Sequence, residues 1–305
     1  MDVTPLKRKY ARPGARLKEG LKETYCLAVN LLSHGLSDAA LFRGALLLRR
    51  FGLGLKRASM PAPFQVTADF LFYSLRNLRP GLVEVQHDGL RFFIPLNDPC
   101  QYDLLLGSHE PEVLQWIVSE LKQGMTFFDV GANVGYYTWV ASRCVGNLGR
   151  VVALEPDPEV AAILRRTIQA NSINNVHVVQ GAAYRTCGIV KFGRASSTSV
   201  ASGLFCGNAS EWIEVPGHSL DTLAAGLKIA AVDMVKLDVE GAELESIQGM
   251  TQILKEHRPK LLMELHGNVG TADSSPPIRE LKKLGYAISV ISGNHVVAMP
   301  ILEDQ

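Results

Sequence analysis

From residue 125 onward, short apolar runs alternate with longer amphipathic stretches. The runs are Thr126–Val130, Arg150–Leu154, Val176–Gln180, Met234–Val239, Lys260–Leu265, Tyr286–Ile291 and Val296–Ile301. Helical spacing fills most of the gaps, over Val134–Cys144, Pro158–Ala170, Ala242–Lys255 and Pro277–Leu284. Such alternation predicts an α/β fold with parallel strands in a doubly wound sheet. Residues 182–225, rich in Ser, Thr and Gly, read as irregular, with strand-like pieces at Ile189–Phe192 and Trp212–Val215. Upstream, Leu82–Gln86 and Leu90–Ile94 flank His87-Asp88-Gly89, and Asp-Gly between apolar runs is a strong hairpin signal. Residues 110–121 read as a helix leading into the main domain. Pro61, Pro63 and Phe64 mark a boundary, because proline interrupts both helix and strand. Three segments follow: a helical extension over 1–60, a linker with the hairpin over 61–97, and the main domain over 98–305.

Charge sharpens that division. Residues 1–60 hold twelve Lys/Arg against four Asp/Glu, a net of +8, whereas the rest of the chain carries −7. A basic arm suits an anionic lipid surface, an acidic glycan or nucleic acid. The leucine- and arginine-rich stretch Leu41–Leu55 could lie on an anionic membrane surface or as easily dock on the main domain; nucleic acid is not expected. Five cysteines, none in a CxxC pair, fit reduced thiols and a cytoplasmic setting better than a disulfide framework or a zinc site. No apolar run reaches membrane-spanning length, and the basic start lacks the apolar core of a secretory signal.

The first candidate site is the turn after the run at 126–130. Asp129, Gly131, Asn133 and Gly135 lie in FDVGANVG, where a strand enters a glycine turn and a helix follows. Glycine lets the backbone approach a ligand closely, and the N–H groups opening the helix can face it. The spacing is D-x-G-x-x-x-G, not the G-x-G-x-x-G that cradles a pyrophosphate. S-adenosylmethionine has no phosphate, and its cationic methionine half needs an acceptor, for which Asp129 is suitably placed. Glu155 ends the next strand, where a carboxylate accepts hydrogen bonds from both ribose hydroxyls. Gln180 and Ala182, at the end of the third strand, are candidates beside the adenine. His177, inside that strand, reads as a packed core histidine.

At these residues the sequence resembles the FkbM family of methyltransferases. The resemblance rests on FDVGANVGYYT at 128–138, ALEPDP at 153–158, SLDTL at 219–223, VKLDVEGAELE at 235–245 and LLMELHG at 261–267. It covers roughly residues 98–301 and leaves the basic extension outside. It implies a seven-stranded Rossmann-like fold of the class I methyltransferases. It also implies methylation of a hydroxyl oxygen on a sugar, glycan, lipid or polyketide-like acceptor.

The second half of the site comes from the fourth and fifth strands. Asp238 and Glu240 stand two apart at one strand end and face the same way, and Glu264 and His266 repeat the spacing at the next. Glu243 reads as an acid favoured at a helix start, and Ser219 or Asp221 as a helix cap. Methyl transfer from a sulfonium is an in-line displacement in which an alcohol must lose its proton. His266 could take it, or Mg²⁺ or Mn²⁺ held by Asp238, Glu240 and His266 could acidify the hydroxyl. The competing readings are a nicotinamide dehydrogenase, which the glycine spacing disfavours; a non-catalytic Rossmann-like module; and an N-methyltransferase acting on protein or nucleic acid. The last often uses an Asn/Asp-Pro-Pro-Tyr type loop, which Asp238-Val239-Glu240-Gly241 is not.

Overall fold

The computed structural model of the chain describes residues 82–87, 89–95, 110–194, 202–205, 209–266 and 275–301, together with Gly44 and Leu47. The expectations for the helical extension, Leu41–Leu55 included, lie outside the described residues apart from those two positions. The chain divides into two compact units, Arg8–Pro111 and Met1–Lys7 with Glu112–Gln305. In the first, β1 (Leu82–His87) and β2 (Leu90–Pro95) form the antiparallel hairpin that Asp88-Gly89 predicts.

In the second unit, α1 (Pro111–Glu120) precedes a seven-stranded sheet. Its strands are β3 (Thr126–Val130), β4 (Arg150–Glu155), β5 (Val176–Gln180), β9 (Met234–Leu237), β10 (Lys260–Glu264), β11 (Tyr286–Ser292) and β12 (His295–Pro300). The spatial order is β11-β12-β10-β9-β3-β4-β5. Neighbours from β10 through β5 are parallel, and β12 runs antiparallel to both β10 and β11. The central strands are apolar because parallel strands are covered on both faces; Phe127, Phe128, Val152, Val235 and Leu261 are all fully buried. α2 (Tyr136–Val145) and α3 (Pro158–Ala170) are the crossovers between β3, β4 and β5. α3 starts where the sequence says it should: Asp157 caps the N–H groups of Glu159 and Val160, and Pro158 occupies the first turn.

Three elements differ from the sequence reading. Among the described residues of 182–225, the strand-like pieces at Ile189–Phe192 and Trp212–Val215 are parts of longer strands, and the segment is more regular than expected. β6 (Ala182–Ala183), β7 (Gly188–Arg194) and β8 (Glu211–His218) form a second sheet of order β6-β8-β7, followed by α4 (Leu220–Gly226). One face of this sheet, with Val190, Phe192, Ile213 and Val215, packs into its own small core, while Ile189 and Trp212 stay exposed. The helix expected over Ala242–Lys255 is broken. α5 (Glu243–Gln248) stops at Gly249, where a Cβ would lie 2.2 Å from the Tyr184 carbonyl oxygen, and a π-helical turn follows over Ile253–His257. Asp221 caps this second stretch, accepting from the N–H groups of Gln252 and Ile253 at 3.0 and 2.9 Å, whereas Ser219 caps α4. Finally, His177 is exposed, because β5 is the edge strand and only its Val176/Val178 face packs against α3. α6 (Pro276–Lys283) completes the unit. Among the described residues no helix is long and apolar enough to cross a membrane.

Candidate active site

The strand order reverses beside β3, and ligands in open α/β sheets bind outside the carboxyl ends of the strands at such a point. Here β3 and β9 close on each other. The Asp238 N–H donates to the Val130 carbonyl at 3.0 Å, and a Cβ on Gly131 would lie 1.8 Å from the Asp238 carbonyl oxygen. Only glycine fits there, and its φ of +78° also favours glycine. Asn133 adopts a left-handed conformation, φ +52°, and its side-chain oxygen accepts from Val134 N–H at 2.7 Å. Gly135, φ +93°, leads into α2.

Glu155 lies within this turn. Its carboxylate accepts from the Asn133 N–H at 2.8 Å and the Asp157 N–H at 2.9 Å, and the residue is only 7% exposed. Burial pushes its carboxyl up to about 7, against the pull of those two hydrogen bonds. Gln180 donates to the Pro156 carbonyl at 3.0 Å, tying the end of β5 to the turn after β4. Two residues stand apart from the sequence reading. Ala182 is buried in the core of the small sheet with Phe192 and Val215. Asp129 is fully buried: its Oδ2 accepts from the Thr138 hydroxyl at 2.6 Å and its Oδ1 faces the Lys236 ammonium at 3.7 Å. Burial raises its pKa although Lys236 and Thr138 oppose the shift. Asp129 thus anchors the turn from below rather than lining an open edge.

The other half of the edge is a carboxylate cluster around one imidazole. Asp238, just past β9, accepts from Lys236 at 3.2 Å. Glu240 takes a left-handed backbone, φ +50°, uncommon without a glycine and frequent at functional sites. His266 joins three elements: its Nδ1 meets Glu243 Oε1 at 2.8 Å, and its Nε2 lies 3.3 Å from Glu240 and 3.6 Å from Glu264. Glu243 is buried and also accepts from the Gly241 N–H, so it orients both the loop and the ring. Burial disfavours the charged ring, but the Glu243 hydrogen bond and the charges of Glu240, Glu264 and Asp238 outweigh it and push His266 up to about 9. Burial, reinforced by Asp238, Glu264 and Glu243, pushes Glu240 up to about 7 in spite of His266. The structure therefore brings Asp238, Glu240 and His266 together, with donor atoms within 4.8 Å of one another.

Lys236 and Phe205 escaped the sequence reading. Lys236 looked like one polar position in an apolar strand; its spacing of two from Asp238 was the available signal. Phe205 is 57% exposed beside Gly241, on a turn whose Gly203 abuts Glu240 and pairs with Gly193 of β7.

A seven-stranded sheet with one antiparallel strand next to the edge, and a glycine turn followed by a strand-end carboxylate at its switch point, defines a Rossmann-like methyltransferase of class I. The profile of the methyltransferase FkbM domain family matches residues 129–288, and the chain belongs to that family. It is an S-adenosylmethionine-dependent methyltransferase. Among its relatives, the hexuronic acid methyltransferase AglP of Haloferax volcanii is 25% identical over 173 residues, 57% of this chain and 69% of that one. A protein-L-isoaspartate O-methyltransferase of Archaeoglobus fulgidus is 36% identical over 83 residues, 27% of this chain and only 38% of that enzyme. Among solved structures, an FkbM methyltransferase from Methylobacillus flagellatus aligns with a TM-score of 0.42 and 16% identity, covering 65% of this chain and 53% of that one.

Proposed function

We propose that the enzyme transfers the methyl group to a hydroxyl oxygen of a sugar or sugar-like acceptor. The carrying observation is the His266–Glu240 pair, backed by Glu243, beside Asp238 at the carboxyl edge of β9 and β10. The cofactor lies along the edge from Glu155 to Asp238, with Glu155 on the ribose and Asp238 facing the sulfonium end. Glu240, with a pKa of about 7, is matched to accept a proton at neutral pH. The acceptor O–H gives its proton to the Glu240 carboxylate as its oxygen bonds to the methyl carbon. The methyl–sulfur bond breaks and sulfur keeps the electron pair as a neutral thioether. His266, protonated at neutral pH, serves as the ion-pair partner that tunes Glu240, and the two titrate as a coupled pair. A sugar acceptor is supported by the hexuronic acid methyltransferase relative.

Two carboxylates and an imidazole are also a suitable donor set for Mg²⁺ or Mn²⁺. Asp238, Glu240 and His266 would hold such an ion, which would acidify a hydroxyl. The ion and the imidazolium proton compete for the same carboxylates. The test is a mass-spectrometric screen for the gain of one methyl across hexuronic acids, neutral sugars, glycans, lipids and polyketides, run with and without chelator. Methylation of sugars that survives chelator supports Glu240; loss restored by Mg²⁺ or Mn²⁺ supports the metal. Methylation of amines alone sinks the O-methylation reading.

A further inference from the structure

Lys236 has no role in the chemistry described so far, yet it is the least expected residue of the sheet. It lies in β9, whose other members are Met234, Val235 and Leu237, with 5% of its side chain exposed. An ammonium in such surroundings is strongly unfavourable unless its partners compensate it. Among the described residues, three groups face it. Asp129 Oδ1 is 3.7 Å away, Asp238 Oδ2 is 3.2 Å away, and the centre of the Tyr137 ring is 5.1 Å away. Asp129 and Lys236 are register neighbours on β3 and β9, and Asp238 stands two residues beyond on the same face. The three charges form a row from the sheet interior, where Asp129 is fully buried, to the carboxyl edge, where the Asp238 side chain is 29% exposed.

The ammonium sits closer to the outer carboxylate than to the inner one. A lysine serving only to neutralise Asp129 would do the reverse. Asp238 also has Glu240 and His266 as neighbours, with ligand atoms within 4.8 Å of one another, so its carboxylate has competing partners at the edge and Lys236 is the one that holds it from within the sheet. We propose that Lys236 is a positioning residue: it grips one oxygen of Asp238 so that the other faces the sulfonium and methyl group of the cofactor. This rests on the reading of the carboxyl edge as the S-adenosylmethionine site.

The test measures binding of S-adenosylmethionine and of S-adenosylhomocysteine to the full chain by calorimetry. The first carries the sulfonium charge and the second does not. Lys236→Met weakens S-adenosylmethionine by about tenfold or more, the scale of one hydrogen bond to a charged group. It weakens S-adenosylhomocysteine clearly less, so discrimination between the two is lost. Lys236→Arg restores most of it. In an Asp238→Asn background Lys236→Met adds nothing, because residues that act through one another are not additive. The same factor is found in an Asp129→Asn background, which removes the buried charge that could unfold the single variant.

Tighter binding of S-adenosylmethionine by Lys236→Met would mean that only bulk charge matters, and it overturns the inference. So do equal losses for both ligands, and additive losses with Asp238→Asn. Failure of the wild-type chain to bind either ligand overturns the cofactor-site reading itself. Weakening by Asp238→Asn without any effect of Lys236→Met overturns the Lys236 inference alone.

Discussion

Glu155→Gln should change stability and cofactor affinity in opposite directions, with pH deciding the size of both. Burial raises the Glu155 carboxyl from 4.5 to about 7 in the folded protein. A group whose folded pKa is raised contributes stability that is fully present below its unfolded pKa and lost as pH climbs through the folded one. At 1.36 kcal/mol per unit, ionising buried Glu155 destabilises the ligand-free protein by about 3 kcal/mol between pH 4.5 and 8. Glutamine removes that loss. Its amide, however, leaves one of the Asn133 and Asp157 N–H groups without an acceptor, which costs about 1–3 kcal/mol. At pH 8 the variant is thus equal to the wild type or more stable by up to about 2 kcal/mol. Between pH 5 and 8 the wild-type Tm falls relative to the variant by about 5–10 °C, at 2–4 °C per kcal/mol for a domain of this size. Cofactor binding runs the other way, because the ribose hydroxyls donate to the ionised carboxylate. Wild-type affinity for S-adenosylmethionine rises about tenfold from pH 6 to pH 8, and the Gln variant binds more weakly with a flat pH profile. Calorimetry across pH and thermal melts of both proteins read these numbers. Parallel melting curves would show that Glu155 does not titrate as its burial requires. Unchanged affinity at pH 8 would remove it from the cofactor site.

Gly131→Ala should destabilise the protein by about 3 kcal/mol or more, because the new Cβ meets the Asp238 carbonyl oxygen at a position with φ +78°; a denaturant midpoint within about 1 kcal/mol of wild type would refute the close approach. Arg194→Ala should cost about 1–3 kcal/mol, since the guanidinium bonds both Asp157 oxygens at 2.8 and 3.0 Å and ties β7 to the start of α3. Its signature is faster hydrogen exchange in β7 and β8, and uniform protection would count against the tie. Glu240→Gln should slow turnover about 10²–10⁴-fold and abolish the rise in rate through pH 7; a variant that keeps that rise assigns the titration to another group.

Much of the fold was legible because its signals are local. β3, β5 and α3 coincide with their sequence patterns, and in α3 the reason is visible: Asp157 and Pro158 fix the start chemically. The small sheet was legible only in part: the strand-like pieces at Ile189–Phe192 and Trp212–Val215 fall within β7 and β8, but their extent and pairing did not show. In β7 the sequence Ile189-Val190-Lys191-Phe192 places an exposed isoleucine next to a half-buried valine, so no clean alternation marks which face is buried. β6 has two residues and gains meaning only from its pairing with β8. At the end of α5 position 249 must be glycine, because Tyr184, far away in sequence, occupies the space a side chain there would need.

The candidate active site shows the same limit. Strand-end positions could be read from the sequence, and with them Glu155, Asp238, Glu240 and His266. Register could not. Lys236 meets Asp129 because Phe127 pairs with Met234; a slip of one residue would put Val235 or Leu237 beside Asp129 and turn Lys236 to the opposite face. The whole row Asp129–Lys236–Asp238 therefore depends on one pairing that hydrophobicity does not specify, since Met234, Val235 and Leu237 are apolar on both faces. What does specify it is the glycine turn. Gly131 packs against the Asp238 carbonyl, and the Asp238 N–H reaches Val130, so any other register would break that hydrogen bond or drive backbone into backbone. The residue that opens the turn after β3 thereby also sets the register that brings the buried lysine to Asp238. That gives Gly131 two reasons to be glycine, where the sequence alone suggested one.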